Sequence, residues 1–303
     1  MCRYEHWSVI GYSELFRMAK NVGVMSLKYL PRKWKRSILK RIAKRPNFFF
    51  NTADLSGLDV LLDGEWEPNL ISSIRKLINE NGDATCFVDI GANIGLTSIP
   101  ICNEVARLVA VEPNPISCLI LRANLGLTSE RNCYTIIEKA IYSSSGYQPL
   151  VTPRGNLGGA FIRSPDQSLT EAELDQKEGG GLIIETSTLV PTLSADTLFY
   201  EIISDSKNKD IDTAIIKIDV EGLESSIIKA LLRSQLWQEW RVALFFESWS
   251  KTGVIEIMTL ANTHLYSRET KSAQWVMCNQ TKVYPNVTEF FLSNYDAIPS
   301  AEC

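Results

Sequence analysis

Histidine is nearly missing: His6 and His264 are the only two in 303 residues, which excludes a histidine-rich metal centre. Cysteine is present without a pattern. The seven, at positions 2, 86, 102, 118, 133, 278 and 303, are odd in number, form no C-x-x-C pair, and several sit inside apolar runs. Neither a disulfide framework nor a zinc site is expected, and the compartment reads as reducing, hence cytoplasmic. No run of 18 apolar residues occurs, so no transmembrane helix is expected. The first twenty residues lack a basic start followed by an apolar stretch, so no signal peptide is expected either. With 45% apolar and 22% charged residues, collagen-like, coiled-coil and mostly disordered chains are excluded, and a globular protein remains.

Charge is spread unevenly. The net value is −4, yet residues 1–50 hold 12 Lys/Arg against two acids, leaving 19 basic and 33 acidic residues in the remainder. A basic, partly helical N-terminal segment (1–60) joined to an acidic domain (61–303) is the expected organisation. Between Lys28 and Arg45 stand nine Lys/Arg and no acid, with Trp34, Ile38, Leu39 and Ile42 on one helical face. Such a helix suits an anionic membrane surface, here the inner face, or packs as an ordinary solvated helix. The acidic body argues against nucleic acid as a partner.

From about residue 70 strands and helices alternate. The pattern predicts a helix ending at Gly82, a strand at 86–90, and a helix starting near Asn93 with a kink or restart at Pro100. A strand at 107–112 follows, then a helix from Pro115 capped by Asn114, with Ile116, Leu119, Ile120 and Ala123 at helical spacing. A third strand is expected over 134–142. The glycine-rich stretch 143–190 reads as strands and loops inserted in the crossover, with 165–181 the most mobile part. The alternation resumes with a strand at 214–220, a helix at 223–234 and a strand at 241–247, and residues 287–294 close an antiparallel edge. Apolar strands alternating with amphipathic helices specify an α/β fold, a doubly wound, mostly parallel sheet with an antiparallel C-terminal edge.

In such sheets ligands bind beyond the carboxyl ends of the strands. The turn after the first strand reads Val88-Asp89-Ile90-Gly91-Ala92-Asn93-Ile94-Gly95. Gly91 suits a close approach of the chain to a ligand, and Gly95 a close approach of the next helix to the sheet. Asp89 offers a carboxylate at the strand tip. The pattern is G-x-N-x-G and not the dinucleotide G-x-G-x-x-G, because Asn93 crowds a pyrophosphate. Glu112 ends the second strand, where an acid accepts hydrogen bonds from ribose hydroxyls. An adenosine ligand without pyrophosphate points to S-adenosylmethionine.

A second acidic cluster, Lys217-Ile218-Asp219-Val220-Glu221-Gly222, ends the strand near 218. Period-two geometry puts Lys217, Asp219 and Glu221 on one side, lining the same crevice or pairing for structural reasons. No metal site is expected, because Asp219 and Glu221 lack an evident third ligand.

The set VDIGANIG (88–95), VEPNP (111–115), EKAIYSSSG (138–146), NLGGAF (156–161), LSADTL (193–198) and IIKIDVEGLE (215–224), preceded by GEWEP (64–68), resembles the FkbM family of S-adenosylmethionine-dependent methyltransferases. The resemblance runs from about residue 60 to 295 and implies a Rossmann-like class I methyltransferase fold. It implies that Asp89, Gly91, Ala92, Asn93 and Gly95 surround the methionine part of the cofactor. It further implies that Glu112 holds the ribose, that Asn114, Lys139 and Ala140 flank the adenine, and that Asp219 and Glu221 lie near the reacting methyl. The stretches 165–181 and 261–267 depart from the family pattern, which leaves the acceptor open.

Methyl transfer to a hydroxyl needs a proton acceptor, and neither histidine falls near a motif. Asp219 is the first choice as base, Glu221 the second, with Lys217 holding Asp219 or stabilising the alkoxide. The resemblance implies a glycan, glycolipid or other small-molecule hydroxyl as acceptor. Trp66 and Trp249 are placed to stack on a sugar or to fill the core, and Asn156 to reach the acceptor or cap a turn. A nicotinamide-dependent Rossmann oxidoreductase and a non-catalytic binding module are the alternatives.

Overall fold

Six consecutive buried residues, Thr85–Ile90, make β1, and only a strand covered on both faces reads this way. The structure is a computed structural model that describes residues 49, 60, 66–153, 156–163, 184–206, 210–247, 251–261, 264–268, 274–278 and 289–297. The basic segment 28–45, the insertion at 165–181 and Trp249 lie outside the described residues. In β1 the alternate residues Phe87 and Cys86, Val88, Ile90 feed two separate apolar layers, one on each face of the sheet.

Helix α1 (Pro68–Asn81) precedes β1 and buries Leu70, Ile71, Ile74, Leu77 and Ile78 on one stripe. Each such side chain contributes about 1.5–3 kcal/mol of burial. Pro68 begins it where no intrahelical N–H is needed, and Gly82 ends it at φ 70°. After β1 come α2 (Ser98–Ile101), β2 (Arg107–Val111) and α3 (Pro115–Thr128). Then follow β3 (Tyr134–Ile137), β4 (Ala140–Tyr142), β5 (Gly146–Pro153), β6 (Phe161–Ile162), β7 (Ile184–Ser194) and α4 (Ala195–Ser206). The chain continues through β8 (Thr213–Ile218), α5 (Glu224–Arg233), α6 (Gln235–Glu239), β9 (Arg241–Glu247) and α7 (Lys251–Ala261). It closes with β10 (Leu265–Arg268), β11 (Val276–Met277) and β12 (Glu289–Ser293).

The main sheet runs β11-β10-β12-β9-β8-β1-β2-β3. Its β9-β8-β1-β2-β3 part is parallel, and β12, β10 and β11 add antiparallel neighbours. This is the expected doubly wound fold with its antiparallel edge. Strand order reverses between β1 and β8, so the crevice at their carboxyl ends is the switch point. A smaller sheet, β4-β7-β5-β6, is built from the inserted region.

Three expectations need correction. The segment 134–142 is not one strand: β3 belongs to the main sheet and β4 to the smaller one, separated by Glu138 and Lys139. The helix after Gly95 is a single turn that starts at Ser98 and not near Asn93, two residues before Pro100 and so close to the restart expected there. Pro100 is its third residue, where the N–H has no intrahelical partner to lose. In α3 the expected face is also wrong. Ile116 and Leu119 are 57% and 70% exposed, while Ser117, Cys118, Leu121, Asn124 and Leu125 face the core. Apolar residues occupy both sides of this helix, so spacing alone could not orient it.

Candidate functional site

The loops after β1, β2 and β8 are stitched together by backbone. The Gly91 and Ala92 N–H groups both donate to the Val111 carbonyl, at 2.9 and 3.0 Å, and the Asp219 N–H donates to the Ile90 carbonyl at 2.9 Å. Gly91 holds φ 89°, and a β-carbon there would lie 1.8 Å from the Asp219 backbone oxygen. The glycine thus admits the neighbouring loop; the close approach is made by protein. At Gly95, φ 94°, a β-carbon would meet Leu121 of α3 at 2.8 Å, so the close neighbour is the helix after β2 and not the sheet. Asn93 adopts φ 48°, a region asparagine tolerates better than most residues.

That left-handed turn aims the Asn93 N–H at Glu112 Oε2, 2.8 Å away, while the Asn114 N–H donates to Oε1 at 2.7 Å. Burial pushes the Glu112 carboxyl up to about 7, against the lowering effect of these two N–H donors. Asn114 Oδ1 accepts from the Ile116 N–H at 3.0 Å, the expected helix cap.

Behind this loop lies a charged chain. Lys217, 5% exposed, places Nζ 2.8 Å from Asp219 Oδ2 and 3.9 Å from Asp89 Oδ1. Burial alone would lower the lysine, but Asp219, Asp89 and Glu67 outweigh it and hold it above its ordinary value. Burial raises Asp89, with Lys217 and the Ser98 hydroxyl pulling the other way. Ser98 donates to Asp89 Oδ2 at 2.7 Å.

A cavity of about 310 Å³ opens over these loops. One part of its wall comes from Gly91, Ala92, Asn93 and Glu112, another from Lys139, Ala140 and Ile141, and a third from Lys217, Asp219 and Glu221. Nine of the twelve residues expected to carry catalysis or hold the cofactor therefore meet here. Asp89, Gly95 and Asn114 do not line it. Asp89 is 1% exposed because its side chain turns toward Ser98 and Lys217, away from the cavity. Asn114 is occupied with the cap and with Glu112, and Gly95 with Leu121.

The NLGGAF loop covers one side. Asn156 Oδ1 accepts from the Gly159 N–H at 2.9 Å, so it caps this turn while also lining the cavity. A β-carbon on Gly158 would come 3.0 Å from Asn93 Nδ2, so loop and turn lie in contact. Trp66 lines the wall too and packs on Val60, Ile94 and Leu96.

Two wall residues escaped sequence reasoning, Glu67 and Glu247. Burial pushes Glu67 up to about 7, with Lys217 opposing, and Glu247 up to about 9, with Asp219 and Glu67 adding to it. With Glu289 at the start of β12, they are the one group of acids among the described residues close enough to share an ion. Glu67 stands inside GEWEP, a stretch whose sequence marks a motif without indicating chemistry. His264 is exposed and does not line the cavity.

The cavity fits an adenosine compound lacking phosphates: it offers a buried carboxylate set by two N–H groups, and among the described residues no cluster of basic side chains lines it. No helix among the described residues is long and apolar enough to cross a membrane. A family model described as the methyltransferase FkbM domain matches residues 89–267. The chain is 28% identical over 184 residues to methyltransferase sdnD of Sordaria araneosa, covering 55% of this chain and 68% of that protein. Among solved structures it is similar to magnesium protoporphyrin IX methyltransferase from Synechocystis with bound S-adenosylmethionine (8% identity, 89% of this chain and 98% of that chain, TM-score 0.38). It is also similar to an S-adenosylmethionine-dependent methyltransferase of Leishmania major (13% identity, 91% and 88% covered, TM-score 0.37).

Proposed function

Because the chain belongs to the FkbM methyltransferase family and is an S-adenosylmethionine-dependent methyltransferase, we propose that it methylates a hydroxyl, that of a sugar in a glycan or glycolipid. The nicotinamide-dependent and non-catalytic alternatives give way to this family assignment. The observation that carries the proposal is Asp219, a carboxylate on the cavity wall paired at 2.8 Å with the buried Lys217.

When bound, S-adenosylmethionine supplies an electrophilic methyl on a sulfonium. Glu112 accepts the two ribose hydroxyls with the lone pairs that the Asn93 and Asn114 N–H groups leave unused. Gly91, Ala92 and Asn93 form the methionine end, and Lys139 with Ala140 the adenine end. Asp219, with Glu221 beside it, would take the proton of the acceptor hydroxyl that the cofactor's methyl is transferred to. Lys217 fixes the Asp219 carboxylate and steadies the charge that develops on the acceptor oxygen. Asp89 acts at one remove, by holding Lys217. Much of the rate comes from in-line positioning. Trp66, a flat apolar face on this wall, stacks on the sugar ring.

The acidic body, with 33 acids against 19 bases beyond residue 50, disfavours nucleic acid. The basic stretch 28–45 suits a lipid-linked acceptor at the inner membrane face, with the catalytic domain beginning near residue 61. The test is calorimetric titration with S-adenosylmethionine followed by labelled methyl transfer to glycans. Asp219→Asn is expected to lower kcat by about 10²–10⁴ with cofactor affinity nearly unchanged. Transfer only to nitrogen, or only to nucleic acid, overturns the reading.

A further inference from the structure

Glu289 opens β12 directly opposite Glu247, the last residue of β9, in the antiparallel register. Like charges facing across a ladder are destabilising, and a third carboxylate, Glu67, comes in ahead of α1. One carboxylate oxygen from each of the three lies within 4.8 Å of the others. The imbalance extends beyond them. Among the described residues five carboxyl groups (Glu67, Asp89, Asp219, Glu247, Glu289) share two cationic groups, Lys217 and Arg268, so carboxyl groups outnumber cations by three.

Hydrogen bonding does not discharge it. Arg268 takes Glu289 Oε2, but Oε1 of the same side chain, 5% exposed, is buried with no hydrogen-bond partner. Glu67 Oε2 is likewise buried and unpartnered. Buried acceptors are ordinarily satisfied, and two orphans of one sign in one cluster mark the seat of a positive ligand.

We propose that Glu67, Glu247 and Glu289 hold a divalent cation at the acidic end of the cavity. Three carboxylates and no nitrogen or sulfur donor select a hard ion, Mg²⁺, Mn²⁺ or Ca²⁺. The oxygens stand close enough for one ion to reach all three, and the remaining positions fall to water or to the acceptor. Its role rests on the methyltransfer reading: Glu67 and Glu247 share the wall with Asp219, so an acceptor hydroxyl bound to the ion loses its proton to Asp219 more readily. Binding of the ion itself does not depend on that reading.

The experiment is Mn²⁺ titration of the full chain at pH 8 without cofactor, followed by calorimetry and by loss of the free-ion paramagnetic signal. One saturable Mn²⁺ per chain, displaced by Mg²⁺ or Ca²⁺, is expected. Glu67→Gln and Glu247→Gln each weaken it tenfold or more while S-adenosylmethionine affinity stays within about twofold. Glu67→Gln is the cleaner variant, because Glu289 also anchors the buried Arg268. No saturable Mn²⁺ site below 1 mM (roughly the weak end of calcium-module affinities), or a site that survives both substitutions, overturns the proposal and leaves protons as the cluster's counter-charge. Mn²⁺ binding without cofactor binding would instead count against the methyltransfer reading.

Discussion

The missing side chain of Gly91 is filled by the backbone oxygen of Asp219, 1.8 Å from where a β-carbon would stand. The turn after β1 and the acidic loop after β8 are therefore one unit, and the residue that joins them has no alternative.

Gly91→Ala is expected to cost about 3 kcal/mol or more and to abolish cofactor binding, because both strain and collision apply. Gly222→Ala is the control. It shares the positive φ, at 90°, but has nothing within 4 Å, so about 1–2 kcal/mol is expected. Urea unfolding of the two variants checks the contrast.

Cofactor affinity should track the ionisation of Glu112. Its carboxyl is raised to about 7 by burial, and ribose hydroxyls are best accepted by the charged form. S-adenosylmethionine binding should thus weaken about tenfold per pH unit below about 7, and Glu112→Gln should be weak and flat with pH. The same group makes the cofactor-free protein less stable on the alkaline side. Its folded value lies above the unfolded one, so its contribution is complete below about pH 4.5 and is lost as pH rises through about 7. Calorimetry and thermal melts between pH 5 and 8 test both signs.

Removing the charge of Lys217 should be severe. Lys217→Met leaves Asp89, Asp219 and Glu67 without their shared cation, a loss of about 3–5 kcal/mol at pH 8 for a broken buried pair. Adding Asp89→Asn should recover part of it, and a double-mutant cycle in urea measures the coupling.

The orientation of α3 gives a sharper test than its existence. Leu121→Ala, at a fully buried position, should cost about 2–5 kcal/mol. Leu119→Gln, two residues away at a position 70% exposed, should change stability by no more than about 0.5 kcal/mol. Equal losses in the two variants would contradict the described packing.

The parallel strands and the acids that end them were readable because a strand buried on both faces leaves an unbroken apolar run, and Glu112, Asp219 and Glu221 interrupt such runs. Asp89 misled for a reason of one residue: it lies inside β1, whose alternation turns it toward Ser98, while the wall begins at the next position, Ile90. Glu247 and Glu289 left no signal of their own, and GEWEP marks Glu67 only as part of a motif. All three are single glutamates at the edges of three elements, and only the β9–β12 register and the entry of α1 bring them together. The face of α3 was hidden because Ser117 and Asn124 are buried while Ile116 and Leu119 are not. Asn124 is drawn inward by hydrogen bonds to the backbone at Phe49 and Ile94.

The antiparallel placement of β12 beside β9 also has a consequence for biosynthesis. Gly91, Glu112 and Ala140 leave the ribosome within about fifty residues of one another, but Glu289 follows Glu67 by more than two hundred. Until that last strand emerges, β9 presents an unpaired apolar edge to whatever is nearby, the kind of surface that invites another nascent chain. Late arrival of β12 thus makes the interval between the synthesis of β9 and that of β12 the period of greatest exposure to mispairing, and chains cut short before residue 289 should be recovered as aggregates.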